Sequence, residues 1–119
     1  MGWKPNKNAP ICPQICEQMC VRIAKGSLEP HSWLMSVREL AVALGVNPNT
    51  VQRAFEQLEQ EGVLYSVPGT GWYVSEDTHT AKSAVQKLMD EYTNTYFAAM
   101  ENLGLDKAAV NEYLKEREA

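Results

Sequence analysis

Asparagine, glutamine and arginine fall together in one short run of this 119-residue chain, Asn47-Pro48-Asn49-Thr50-Val51-Gln52-Arg53. These are side chains that pair with base edges. The carboxamide of Asn49 or Gln52 matches adenine N6 and N7, and the guanidinium of Arg53, or of Arg38 upstream, matches guanine O6 and N7. The hydroxyls of Ser36 and Thr50, together with helix N-terminal amides, suit phosphate oxygens. Taken singly, each of these polar residues reads equally well as solvated surface, so their meaning depends on what presents them.

Other chemistry is weaker. Cys12, Cys16 and Cys20 lie four residues apart and would share one face of a helix. Such a trio could form a thiol metal site or a redox sensor, but small residues packed on an amphipathic helix explain it better. There is no Cys-x-x-Cys pair and no nearby His, and an odd count argues against a disulfide framework. His31 and His79 fall in predicted loops without acids at ligand spacing. Gly69-Thr70-Gly71 is no nucleotide loop, because a strand follows it rather than a helix opening on phosphate. No Ser–His–acid set, metal-ligand cluster or carboxylate pair can be read, so neither an enzyme nor a metal or other cofactor is expected.

The elements that must position the polar run can be read from periodicity and punctuation. Ile15, Met19 and Ile23 recur at helical spacing, placing a first helix over about Pro10–Lys25, with Pro13 in its first turn and Gly26 as a stop. Ser27–Met35 reads as a connector with a short extended piece near Trp33–Leu34. Ser36-Val37-Arg38-Glu39 is a capping box, and Val37, Leu40, Ala41 and Leu44 give the following short helix an inward face. Gly45 ends it, Asn47 caps the next, and Pro48 takes a first position that suits its fixed φ. That helix runs to about Glu61 and buries Val51, Phe55 and Leu58, with Gly62 behind it. Two helices separated by Gly45-Val46-Asn47 make a helix-turn-helix. Val63–Val67 and Trp72–Val74, around a Gly-rich turn, make a hairpin placed as a wing.

Beyond Ser75 the pattern changes. Val85, Met89, Tyr92, Tyr96, Ala99 and Leu103 alternate steps of four and three, a heptad seam on a long helix over about Thr80–Asn102, with Leu88 beside it. Gly104 closes that helix, Asp106 caps a last one, and Leu105 can staple onto Val110. The expected architecture is mostly α with a small β-hairpin. A winged helix-turn-helix domain at 9–75 is followed by a two-helix dimerisation region at 76–119. Met89, Tyr92, Tyr96, Phe97 and Met100 read as a packed seam in preference to a ligand pocket.

Composition allows this. Apolar residues make up 45% of the chain, ordinary for a globular protein. No apolar run approaches the ~20 residues that span a bilayer, and Met1–Pro10 carries no signal-peptide core, so a cytoplasmic protein without a membrane partner is expected. Net charge is −4, at first sight unlike a nucleic-acid binder. Residues 1–75, however, hold six bases against six acids, and residues 76–119 hold five against nine. The acidity lies in the tail.

At motif level the chain resembles the GntR-type transcription regulators, specifically the YtrA-like subfamily with its short two-helix C-terminal region. The resemblance is carried by Pro10-Ile11, Gln14-Ile15, Gly26-x-Leu28-x-Pro30 and Ser36-Val37-Arg38-Glu39-Leu40-Ala41. Its most specific stretch is Leu44 through Phe55, followed by Leu58-Glu59-x-Glu61-Gly62 and the wing Gly69-Thr70-Gly71-x-Tyr73-Val74. It covers about residues 9–75, while the tail matches in length and helical character. It implies DNA contact by Arg38 and by Asn47, Asn49, Thr50, Gln52 and Arg53 at the exposed start of a recognition helix in the major groove. It further implies a homodimer on double-stranded operator DNA, with no effector identifiable.

The chain also departs from the family pattern. Pro68 and Thr70 stand where wings of this family usually carry basic residues, and no Lys or Arg occurs between Arg53 and Lys82. The wing is left with the Thr70 hydroxyl and the amides of Gly69 and Gly71. His31 and Met35 replace a usual Gly and Pro, His being more tolerant than most residues of positive φ. Trp72 replaces a smaller residue and is left open between projecting from the wing and packing, whereas Trp33, Tyr65 and Tyr73 read as packing residues. The leading expectation is a sequence-specific DNA-binding regulator, a repressor, acting as a symmetric dimer on a pseudo-palindrome. A winged-helix protein-interaction module with weak or no DNA binding is the alternative that the acidic total and base-free wing leave open.

Overall fold

The structure, a computed structural model, describes residues 2–119. Its elements run α1 (Ile11–Ala24), α2 (Val37–Leu44), α3 (Pro48–Gln60), β1 (Leu64–Val67), β2 (Gly71–Val74), α4 (His79–Asn102) and α5 (Lys107–Glu118). The chain is mostly helical with one small hairpin, as expected. It divides into two compact units, the first ending at Val85 and the second spanning Gln86–Ala119. Among the described residues no helix is long and apolar enough to cross a membrane.

Helix α1 turns Ile15, Met19 and Ile23 into the core of the first unit. Helix α2 starts where the Ser36 hydroxyl accepts the Glu39 N–H at 3.1 Å, the cap that its capping-box spelling predicts. It stops at Gly45, whose φ of +68° is left-handed. A Cβ there would lie 2.9 Å from Lys7 Nζ, and that ammonium donates to the Gly45 carbonyl. Asn47 then caps α3, its side-chain oxygen accepting the Asn49 N–H at 2.8 Å, and Pro48 opens the helix. Val51, Ala54, Phe55 and Leu58 of α3 are fully buried. Truncating Phe55 to Ala would therefore cost about 3–5 kcal/mol.

β1 and β2 pair antiparallel in the register Leu64↔Val74 to Val67↔Gly71. The connector supplies a third partner. Trp33 bridges Tyr73, the Leu34 N–H reaches Trp72 O at 2.9 Å, and His31 and Ser32 exchange bonds with Val74. His31 holds φ +63° among these bonds, so the turn survives without glycine, helped by its ring nitrogen Nδ1 lying 3.0 Å from the Tyr65 hydroxyl.

Helix α4 begins at His79, one residue before the predicted start, so His79 sits on a helix rather than in a loop. Its first turns belong to the first unit. Ala81 is buried there, and Ala84 and Val85 pack against the same core. In the second unit Asp106 caps α5 by accepting the Ala109 N–H at 2.9 Å. Val110 is fully buried and Leu105 half-buried, which fits the predicted staple. The Lys107 ammonium stands 5.8 Å from the Phe97 ring centre.

Candidate nucleic-acid interface

The buried stripe of α3 leaves its opposite face in solvent, and the polar run lies there. Asn47, Asn49 and Arg53 are exposed, Thr50 and Gln52 half-buried, and all sit in the first turn and a half of the helix or at its cap. The first amides of a helix lack intrahelical acceptors, so this end also offers donors and partial positive charge to an anion. Arg38 is exposed on α2, and Ser36 caps the same helix half-buried.

The hydrogen bonds divide these residues by the role left to them. Ser36 accepts from Glu39, which leaves its hydroxyl proton free to donate to a phosphate. Asn47 uses one lone pair of its oxygen as a cap, which leaves both hydrogens of its NH₂ to serve a ligand. The amide of Gln52 donates to Glu56 at 2.9 Å. The bond occupies one of its two amide hydrogens, so the carboxylate competes with a base for that group. Composition alone hides this competition, and the signal for it was the i, i+4 spacing of Gln52 and Glu56.

The wing is pinned from two sides. Glu59 of α3 accepts from both the N–H and the hydroxyl of Ser66, at 3.2 and 2.8 Å, tying the helix to β1. The indole of Trp33 donates to Thr70 O at 3.1 Å. It leaves no room at Gly71, where a Cβ would meet the indole nitrogen at 2.8 Å and φ is +122°. The Thr70 hydroxyl donates inward to Val67 O at 2.9 Å, so in this turn it presents lone pairs rather than a proton to a phosphate. Gly69 is exposed at the tip and Gly71 half-buried beneath the indole. Trp72 does not project: it is half-buried, edge-on to Phe55 with ring centres 5.7 Å apart. Tyr65 and Tyr73 stack at 5.5 Å, as packing residues do, whereas Trp33 is half-exposed while bracing the wing.

The cysteines are built into the core. Cys16 and Cys20 are buried, and burial is the main reason their thiols are pushed up to about 12 and about 11. Thiols this hard to ionise are poor metal ligands and poor nucleophiles. Cys16 instead points its S–H at the Ala54 carbonyl of α3, 3.6 Å away. Cys12, half-buried, lies 4.0 Å from the Gln57 side-chain oxygen.

On the second unit the seam residues are mostly open. Met89, Tyr92 and Leu103 are 55, 62 and 75% exposed. Tyr96 and Ala99 are exposed as well, and Leu88 is half-buried. Val85 is the exception, since it packs against the first unit's core. The order of the N-terminal segment lies outside the elements read from periodicity. Pro5 is buried, Trp3 packs on the core, and Gln14 binds Asn6 through its side-chain oxygen and nitrogen, both at 2.8 Å.

Three packed helices, a two-stranded wing and a polar, solvent-facing helix start define a winged helix-turn-helix of the kind that reads DNA. Residues 13–74 match the family described as bacterial regulatory proteins, gntR family. The chain belongs to that family, whose members are regulators and not enzymes. It is 34% identical over 113 residues to the HTH-type transcriptional repressor YtrA of Bacillus subtilis, covering 94% of this chain and 87% of that protein. Among solved structures, a GntR family transcriptional regulator from Listeria monocytogenes superposes with a TM-score of 0.81 at 34% identity. That match covers 94% of this chain and 98% of the other. AraR(DBD) in complex with an operator matches with a TM-score of 0.54 at 31% identity, over 56% of this chain and 82% of that one.

Proposed function

We propose that this DNA-binding transcriptional regulator works in the cytoplasm as a homodimer on a pseudo-palindromic operator and represses transcription there. The observation that carries the reading is the two-faced α3. Its inner residues are locked in the core, while Asn49 and Arg53 stand free in solvent on its first turns. A rigid helix presenting carboxamide and guanidinium groups suits a major groove better than a protein surface. The relatives support the finer points: a repressor by name in one, an operator complex in another. The winged domain is assigned to residues 9–75 and dimerisation to 76–119. Ser36, Arg38, Thr50 and the amides of Gly69 and Gly71 serve phosphate or base contacts beside the α3 residues. The open seam from Leu88 and Met89 to Leu103 is the surface for the second copy, because soluble chains seldom leave a contiguous apolar stripe uncovered.

Mobility shifts on the DNA upstream of the protein's own gene, at low salt and beside a random duplex of equal length, test the reading. A discrete complex that survives competitor DNA is expected, with a stoichiometry of two chains per site in sedimentation. Failure to shift any duplex would return the domain to the protein-interaction alternative.

A further inference from the structure

The turn between α2 and α3 carries a cation that neither helix supplies. Helix α2 has no basic residue in its last turn. The ammonium of Lys7, 38 residues upstream, donates to the Gly45 carbonyl just behind that helix. Its place there is built. Asn6 to Ala9 fold into a turn, with the Ala9 N–H reaching Asn6 O at 3.3 Å and the Asn8 N–H reaching the Asn6 side-chain oxygen at 3.0 Å. Gln14 of α1 clamps that turn, accepting from the Asn6 N–H at 2.8 Å and donating to the Asn6 and Pro10 carbonyls at 2.8 and 2.9 Å. Buried Pro5 and the packing of Trp3 fix the chain leading into it.

The charge so placed is not cancelled. Lys7 is exposed, and no carboxylate pairs with it among the described residues. An ammonium has three hydrogens, so the bond to Gly45 leaves two for another acceptor. Gly45 lies two residues before Asn47, the cap of α3, a span of at most ~7 Å. The cation therefore stands at the rim of the helix end that carries Asn49 and Arg53. It also covers the carbonyl end of α2, whose partial negative charge would otherwise repel a phosphate passing there. A compact ammonium suits a single phosphate oxygen, whereas base edges favour a bidentate fork.

We propose that Lys7 is a DNA contact, its ammonium binding a backbone phosphate at the edge of the groove that α3 enters. It gives the interface a cation beside Arg38 and Arg53, where the wing brings none. This rests on the reading of α3 as the helix that faces DNA.

The test measures affinity of the full chain for the duplex upstream of its own gene across a range of potassium chloride, by fluorescence anisotropy. In Lys7→Gln the slope of log affinity against log salt should become shallower by about 0.9 for each bound chain, with helicity retained. A smaller folded fraction would lower apparent affinity at every salt and leave the slope, so instability does not imitate this result. Lys7→Arg should keep the original slope. So should Lys115→Gln on α5, which removes the same charge elsewhere. An unchanged slope in Lys7→Gln, a slope lost in Lys7→Arg as well, or an equal loss in Lys115→Gln would each overturn the proposal and leave the DNA reading standing. An unaltered protein that binds no duplex sinks that reading itself, and this contact with it.

Discussion

Arg53 lies on the outer face of α3, exposed, and no hydrogen bond or ion pair holds its side chain among the described residues. Replacing it with Ala should lower operator affinity by roughly 10- to 100-fold, as expected from losing ~1–3 kcal/mol of bidentate base pairing. Far-UV circular dichroism and the oligomeric state should stay unchanged. Operator binding that survives intact would mean that α3 reads with another face. The cysteines give a second result at this scale. Burial raises the Cys16 and Cys20 thiols to about 12 and about 11 from an ordinary 9.0. Both stay neutral in the folded state at pH 9, where an unfolded chain begins to ionise them. Their contribution to stability is therefore steady below pH 9 and is lost as pH climbs from there towards 12. At pH 8 an aromatic disulfide reagent should titrate Cys12 first, and all three thiols only in denaturant. Prompt reaction of all three in the native protein would contradict the burial. The recognition residues were legible as a group because Asn, Gln and Arg cluster between two helix punctuation marks. The i, i+4 spacing allowed Gln52 to meet Glu56, but that it does so, and that Thr70 turns onto Val67, depends on rotamers that spacing leaves open.

At the scale of elements, capping residues made the helices readable. Ser36, Asn47 and Asp106 each accept an amide hydrogen at the helix start assigned to them. The wing was readable as a hairpin but not in its bracing, because Trp33 and Glu59 reach it from elements distant in sequence or shared with α3. The tip is the place to test what the wing contributes. Thr70 is exposed there, and Thr70→Arg supplies the kind of cation that the resemblance leads one to expect in the wing. It should tighten operator binding at low salt and steepen the slope of log affinity against log salt by about 0.9, one phosphate's worth. An unaltered slope would place the wing away from the DNA backbone. Trp72 shows the limit of reading by comparison. A large residue at a position usually small left projection and packing both open, and the hairpin turns it inward onto Phe55.

For the whole molecule, the heptad pattern beyond Ser75 pointed to one long helix, and α4 runs 24 residues, about 36 Å. Its opening turns serve the first unit instead of the seam, as the packing of Ala81 and Val85 shows. No periodicity argument separates those roles, because an apolar residue every three or four positions suits either partner. A truncation meant to remove the seam should therefore spare residues through Val85; a cut after Ser75 would also take Ala81 out of the core. The cleaner experiment keeps the chain whole. Met89→Lys combined with Tyr96→Glu should convert a dimer into a monomer in analytical ultracentrifugation, with helix content retained and operator affinity reduced at least tenfold. A double variant that still sediments as a dimer would move the interface elsewhere.

The uncharged wing tip bears on how such a regulator behaves when a bacterium dries out. Osmotic upshift loads the cell with potassium, and every lysine or arginine resting on a phosphate makes a protein easier for those ions to displace. A chain whose hairpin brings Pro68, Gly69 and Thr70 but no cation has fewer such contacts to lose. Its affinity for DNA should therefore fall less steeply as salt rises than that of a lysine-winged relative, from a weaker starting point at low salt.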